Sequence, residues 1–259
     1  MEGVAGGDVK PLVVENLSKS FEGLQALSDV SFQIEAGERV VIIGPNGAGK
    51  TTLFNLIAGV LPPTEGRIHL FGEEVTHMSS HRRTHLGIAR TFQITNLFPE
   101  LTLHENILLA VLGTHPRQYV MHKAVTSFSP IMEKTESLLS EWGFEENMHT
   151  LVRNLSYGMQ RQIEVIMALA CNAKLLLLDE ATAGLPPGEI STLSSMILKL
   201  DPKITLLIIE HDMNVAFQLA HRMIVLQNGR VIAEGPPEKI KVDSKVQEIY
   251  LGEEEVEHA

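Results

Sequence analysis

Nine residues constrain this chain more than any others: Gly44-Pro45-Asn46-Gly47-Ala48-Gly49-Lys50-Thr51-Thr52. They follow the apolar run Arg39-Val40-Val41-Ile42-Ile43 and precede Leu53-Phe54-Asn55-Leu56-Ile57-Ala58. The first segment reads as a buried strand and the second as a helix with apolar spacing. A glycine-rich turn between strand and helix, closing on Lys-Thr, is the context in which a backbone wraps a phosphate. Gly44, Gly47 and Gly49 let the chain turn tightly and come close to a ligand. Successive backbone N–H groups then face inward, and the helix start adds partial positive charge. Lys50 can reach β- and γ-phosphates, and the Thr51 hydroxyl can ligate Mg²⁺. Residues 44–52 are therefore a candidate nucleotide-binding loop.

The bulk properties narrow the setting. At 259 residues the chain is long enough for one large domain or two small ones. Its net charge of −11 argues against a nucleic-acid partner. The single cysteine, Cys171, excludes an internal disulfide and fits a reducing compartment. No apolar run reaches membrane-spanning length, so work at a membrane would be done peripherally, from the cytoplasmic side. Residues 1–9 lack a basic-then-apolar signal pattern and are expected to form a short disordered lead-in.

Taken in order, residues 12–17 predict a strand, 18–22 a turn carrying Phe21, and 24–34 a second strand. Residues 67–71 and 88–92 predict further short strands, with a helix over 79–86 between them. Helical spacing over 103–112 and 131–142 marks a mostly helical insert. A helix is expected from Leu155-Ser156-Tyr157-Gly158 to about Cys171. Leu175-Leu176-Leu177-Leu178-Asp179 reads as a strand buried on both faces. A helix over 189–200, a strand over 204–209 and a helix over 212–220 follow, and Asn228-Gly229 signals a hairpin. The acidic tail reads as solvated.

Four more features carry chemistry. At the end of an apolar strand, Asp179 can hold Mg²⁺ through water, and Glu180 can orient and deprotonate an attacking water. Ser156 reads as a helix N-cap beside the small Gly158, which leaves backbone N–H groups open for a second anion site, although taken alone an ordinary helix cap is the better reading. Gln93, at a strand end, can ligate Mg²⁺ or hold the attacking water, although a lone Gln is usually polar surface. His211 follows an apolar strand, where a lone His is more often structural than catalytic. His81 and His85 stand i, i+4 with Arg82 and Arg83 between them, which favours a solvated helix face over a metal site. Cys171 reads as a small buried residue, and the methionines as core filler.

Together and in this order, these features resemble the ATP-binding subunits of ABC transporters, over roughly residues 12–252. The resemblance implies an α/β fold: a phosphate-loop (RecA-like) nucleotide-binding core, an antiparallel β subdomain and a helical insert bearing the signature motif. It implies one ATPase domain over 1–259, with the core over 10–93 and 160–236, the insert over 94–159 and a short tail over 237–259. Residues 44–51 match Walker A, and 175–179 Walker B with Glu180 as catalytic carboxylate. Gln93 matches the Q-loop, residues 155–159 the signature, and His211 the switch histidine. Phe21 falls where the family stacks an aromatic on adenine, a task needing only a π-face. ATP and Mg²⁺ are the implied ligands, with Thr51, Gln93 and Asp179 around the metal. Two subunits, this chain with itself or with a paralogue, would enclose two ATP molecules head to tail. Each γ-phosphate would touch Walker A of one chain and Ser156 and Gly158 of the other. Hydrolysis would drive transmembrane permease subunits at the cytoplasmic face of the inner membrane.

Three positions depart from the family pattern. The usual Leu-Ser-Gly-Gly-Gln reads Leu155-Ser156-Tyr157-Gly158-Met159 here, and Pro186 stands where many relatives have Asp. A narrower resemblance, carried by Gly87-Ile88-Ala89-Arg90-Thr91-Phe92-Gln93, Leu97-Phe98-Pro99-Glu100 and Ala183-Gly184-Leu185-Pro186, is to branched-chain amino-acid importers. In such systems a periplasmic solute-binding protein selects the cargo. Importers of urea or short amides share this look. A soluble ABC-type ATPase acting on ribosomes or DNA is the runner-up class, against which stand one motif set, a short insert and the negative charge. Intact Lys50, Asp179, Glu180 and His211 argue against a non-hydrolysing binding module.

Overall fold

The structure, a computed structural model, describes residues 9–91, 97–113 and 129–249. Its centre is a six-stranded sheet in the order β10-β9-β3-β8-β7-β6, formed by β3 (Arg39–Ile43), β6 (Ile88–Arg90), β7 (Leu175–Asp179), β8 (Thr205–Ile209), β9 (Arg222–Gln227) and β10 (Arg230–Gly235). From β9 through β6 every pairing is parallel, and only β10 runs antiparallel, against β9. All five residues of β7 and of β8 are buried. Their unbroken aliphatic sequence follows from that, since both faces of a parallel sheet are covered.

Alternation along these strands feeds two cores. Val41, Ile43, Leu176, Leu178, Leu206 and Ile208 face one side. There they meet α3 (Leu103–Gly113), α4 (Ser129–Glu141), α5 (Tyr157–Ala170) and α6 (Pro187–Leu198) through Ile107, Leu139, Ile163 and Leu193. Val40, Ile42, Leu175, Leu177, Leu207 and Ile209 face the other side. They pack on α1 (Lys50–Ile57) and on a four-stranded antiparallel sheet, order β2-β1-β4-β5, of β1 (Leu12–Phe21), β2 (Leu24–Ile34), β4 (Glu65–Leu70) and β5 (Glu73–Glu74). The expected α/β core with an antiparallel β sheet and added helices is thus what the chain forms. The described residues also form α2 (Ser80–Leu86), α7 (Met213–Leu219), α8 (Pro237–Lys241) and two single 3-10 turns at Glu145–Asn147 and Val152–Asn154.

The expected turn over 18–22 is corrected. β1 continues to Phe21, and the reversal is confined to Glu22 and Gly23, both at positive φ. Asn16, at φ 48°, and three register shifts against β2 break the alternation that would have marked one long strand. The hairpin at Asn228-Gly229 forms as expected, with φ of 47° and 73°.

Arg83 requires a second correction. The helix face between His81 and His85 is not wholly solvated, because Arg83 is 1% exposed. Its guanidinium donates to the carbonyls of Leu56, Ile57, Val75, Thr76 and Met78. Two of those acceptors lie in the last turn of α1, where a cation offsets the negative end of the helix dipole. Desolvation lowers its pKa to about 10, so it stays charged. Arg83→Met strands several buried carbonyls and is expected to lower stability by about 3 kcal/mol or more. Urea unfolding measures this, and a loss below about 1 kcal/mol would contradict a structural role for those bonds.

Candidate functional site

Because β3, β7 and β8 are adjacent and parallel, their carboxyl ends emerge along one edge, where open α/β sheets bind ligands. β3 delivers residues 44–50, β7 delivers Asp179 and Glu180, and β8 delivers Glu210 and His211. The loop after β3 is held from two sides. A Cβ on Gly44 would lie 2.0 Å from the Leu226 carbonyl oxygen, so only glycine passes β9 there. The turn between β9 and β10 reaches back, its Gly229 N–H donating to the Ala48 carbonyl at 3.0 Å. Gly229 in turn accepts from the Ser28 N–H of β2 at 2.8 Å. The hairpin thus links both sheets to the loop.

Lys50 is 6% exposed and folds back on its own loop, donating to the carbonyls of Gly44 at 2.5 Å and Pro45 at 3.0 Å. The Thr51 side is exposed, at the first turn of α1. Asp179 is fully buried. Its Oδ2 accepts from Nη2 of Arg90 at 2.7 Å, and its Oδ1 has no hydrogen-bond partner among the described residues. Burial holds the Asp179 carboxyl above its ordinary value, and the bond and charge of Arg90 offset only part of that rise. The chemistry of a buried carboxylate oxygen on β7 and a hydroxyl in the first turn of α1, both hard oxygen donors, fits Mg²⁺.

Glu180 adopts φ 50°, a sparsely populated conformation for a non-glycine residue, and its N–H donates to the Ile209 carbonyl at 3.0 Å. That backbone turn sets Oε1 3.3 Å from Nδ1 of His211. The structure therefore brings Glu180 and His211 together, two residues that the sequence could only nominate separately. Beside them Glu210 is 1% exposed, its Oε2 accepting from the Thr182 hydroxyl at 3.0 Å. Burial, reinforced by the charges of Glu180 and Asp212, raises its pKa to about 7.

Glu210 gives stability a pH dependence. Below its ordinary value of 4.5 the group is protonated in both states and adds no dependence. Between there and about 7 the folded chain keeps a proton that the unfolded chain has released, so stability falls as pH rises. Glu210→Gln keeps the acceptor for Thr182 and removes this slope. The variant is expected to melt higher than the parent at pH 8 and nearly with it at pH 4.5. Equal melting differences at both pH values would contradict the raised pKa.

Ser156 and Gly158 lie apart from this cluster in the contacts they make. Ser156 caps α5, its hydroxyl accepting from the Met159 N–H at 3.2 Å. Gly158 is small because the Glu189 carboxylate occupies the space of a Cβ. Tyr157 turns along its own helix, where its hydroxyl accepts from Arg161 at 2.6 Å, and leaves the Ser156 side open. Met159 packs against the core, and Pro186 is the N-cap position of α6. Phe21 ends β1, 40% exposed, with Nζ of Lys19 5.0 Å from its ring centre. Cys171 is half-buried at the C-cap of α5. Gln93 and the lead-in over residues 1–8 lie outside the described residues. Sequence reasoning missed Arg90 and Glu210, since neither belongs to a local pattern and their meaning depends on neighbours far along the chain.

A glycine-rich loop between strand and helix, closing on Lys50-Thr51, shares one sheet edge with a buried aspartate and an adjacent Glu–His pair, an arrangement that fits a phosphate-loop ATPase. Residues 27–183 match the family model described as ABC transporter, and 230–256 one described as Branched-chain amino acid ATP-binding cassette transporter. The chain belongs to the ABC transporter family, as one of its ATP-hydrolysing subunits. It is 36% identical to the high-affinity branched-chain amino acid transport ATP-binding protein BraF of Pseudomonas aeruginosa, over 93% of this chain and 98% of that protein. It is 34% identical to the lipopolysaccharide export system ATP-binding protein LptB of Haemophilus influenzae, over 94% and 98%. Among solved structures it matches the ADP conformation of an ABC transporter's ATP-binding cassette with a TM-score of 0.84, at 33% identity over 94% and 99% of the two chains.

Proposed function

We propose that this chain couples ATP hydrolysis to the uptake of branched-chain amino acids as the peripheral subunit of an importer at the cytoplasmic face of the inner membrane. The observation that carries the cargo is the match of residues 230–256 to the branched-chain amino-acid cassette family, outside the general ATPase region. Among the described residues no helix is long and apolar enough to cross a membrane, so transmembrane permease subunits supply the path. We read the chain as one ATPase domain, its core over 10–93 and 160–236, its helical insert over 94–159 and its tail over 237–259.

In this reading the γ-phosphate takes over the Lys50 ammonium from the carbonyls of Gly44 and Pro45. The loop N–H groups of residues 46–52 hold the β-phosphate, and Phe21 stacks on adenine. Thr51, Asp179 and Gln93 would hold Mg²⁺, which would supply charge neutralisation for the phosphates. Glu180 accepts a proton from the attacking water while His211 holds its carboxylate in place. Ser156 and Gly158 face the ATP of a second subunit, this chain or a paralogue, which accounts for a helix start with no phosphate of its own. A groove of about 420 Å³, lined by Val60, Arg90, Leu97, Leu109, Met167 and Cys171, opens beside the strand that leads to Gln93 and receives a cytoplasmic loop of the permease.

In this reading cargo is chosen by a periplasmic binding protein, and the second reading is the same role for urea, a short amide or another small solute; a similar identity to a chain that serves lipopolysaccharide export means that likeness of the ATPase subunit alone does not fix the cargo. Deleting the gene in its native host is expected to abolish high-affinity leucine, isoleucine and valine uptake, measured with radiolabelled solutes. Unchanged leucine uptake with lost urea or amide uptake would overturn the amino-acid assignment and keep the importer.

A further inference from the structure

Arg90 stands at the end of β6, and its side chain is 10% exposed. Its guanidinium bridges two elements on which the metal depends. Nη2 donates to Oδ2 of Asp179 at 2.7 Å, and Nη1 donates to Oδ1 of Asn55 at 2.6 Å. Asn55 lies one helical turn after Thr51, on the same face of α1. The guanidinium also sits 5.8 Å from the centre of the Phe54 ring, which limits its tilt.

The geometry has a direct consequence for Asp179. Packing around the fully buried Asp179 restricts its Cα–Cβ torsion, so the carboxylate turns chiefly about Cβ–Cγ and holding Oδ2 sets the direction of Oδ1. Oδ1 is the buried oxygen with no hydrogen-bond partner among the described residues. The planar fork of an arginine sets the angle between its two donor directions. Asp179 is thereby set relative to α1, and so relative to the Thr51 hydroxyl. A lysine at this position would keep the positive charge beside Asp179 but, as a point charge, would lose the fork.

We propose that Arg90 is the positioning residue of the metal site, locking the Asp179 carboxylate to α1 so that its second oxygen is aimed at Mg²⁺. The inference rests on the Mg-ATP reading above and adds a residue to it. Outer-shell partners of this kind typically change metal affinity by about 10–100-fold when removed.

The test separates metal from nucleotide. Mn²⁺ is titrated by electron paramagnetic resonance into the full chain holding a non-hydrolysable ATP analogue, with the signal of the free analogue–metal complex subtracted. The analogue's affinity is measured separately in EDTA. Arg90→Lys is expected to weaken Mn²⁺ by about 10–100-fold and to leave the affinity in EDTA within a factor of about two. Asn55→Ala, which removes only the second arm of the fork, is expected to weaken Mn²⁺ by a smaller factor in the same direction. Wild-type Mn²⁺ affinity in both variants would overturn the proposal. Equal losses with and without metal would also overturn it, by showing that Arg90 only holds the fold. If the wild type binds no analogue at all, the Mg-ATP reading itself fails, and the positioning role with it.

Discussion

Glu180→Gln is expected to slow ATP hydrolysis by about 10²–10⁴-fold, the usual loss when a positioned general base is removed. Binding should survive the change. In the proposed reading Lys50 and Thr51, in the first turn of α1, and Asp179, at the end of β7, remain to hold the phosphates and metal, and glutamine preserves the shape of the side chain. The backbone of Glu180 is fixed by its N–H bond to the Ile209 carbonyl, which the substitution leaves intact. Removing one negative charge beside the γ-phosphate should also favour the ATP-bound closed dimer. Phosphate release and nucleotide binding, measured on the same preparation, check both halves. A variant that hydrolyses at the parental rate would exclude Glu180 as the base.

Lys50→Ala should abolish measurable ATP binding. Lys50 is nearly buried, and its ammonium is already assembled with the loop through the Gly44 and Pro45 carbonyls. The ligand therefore meets a preorganised charge, and ordering a long side chain adds little further cost. Alanine removes the point charge at the β- and γ-phosphates and leaves two carbonyl oxygens turned toward an anion. Calorimetric titration with Mg-ATP reads the outcome, and unchanged affinity would remove residues 44–52 from the nucleotide site.

Local pattern carried much of this architecture. β3 and β7 form with the expected bounds, because a continuous aliphatic run between polar residues has few alternatives inside a parallel sheet. Ser156 caps its helix as its position suggested, and Asp212, the first residue of the helix expected over 212–220, is that helix's N-cap. β1 was harder to read, because its left-handed Asn16 and register shifts disrupt the period of two on which strand recognition depends. The site divided in the same way. Residues 44–52, Asp179 and Glu180 announce themselves locally. The pairing of Glu180 with His211 comes from the adjacency of β7 and β8, and the arginine partners come from longer-range packing. Arg83 looked like a surface cation because nothing in Ser80-His81-Arg82-Arg83 reveals five carbonyls converging from α1 and the residues after β5.

The central claim is that ATP is hydrolysed between two chains, by Glu180 and Lys50 of one and Ser156 of the other. Mixing two inactive variants tests it most directly. Lys50→Ala disables the loop and spares the α5 cap, whereas Ser156→Arg blocks the cap and spares the loop. Each variant is prepared alone, and then the two are mixed in equal amounts, with this chain as the sole ATPase subunit throughout. A mixed dimer places the intact loop of the Ser156→Arg chain opposite the intact Ser156 of the Lys50→Ala chain and so rebuilds one complete site. ATPase activity in the mixture well above the sum of the separate variants is the predicted result. A mixture no more active than that sum, under conditions where light scattering shows the mixed dimer, would contradict a site shared between subunits.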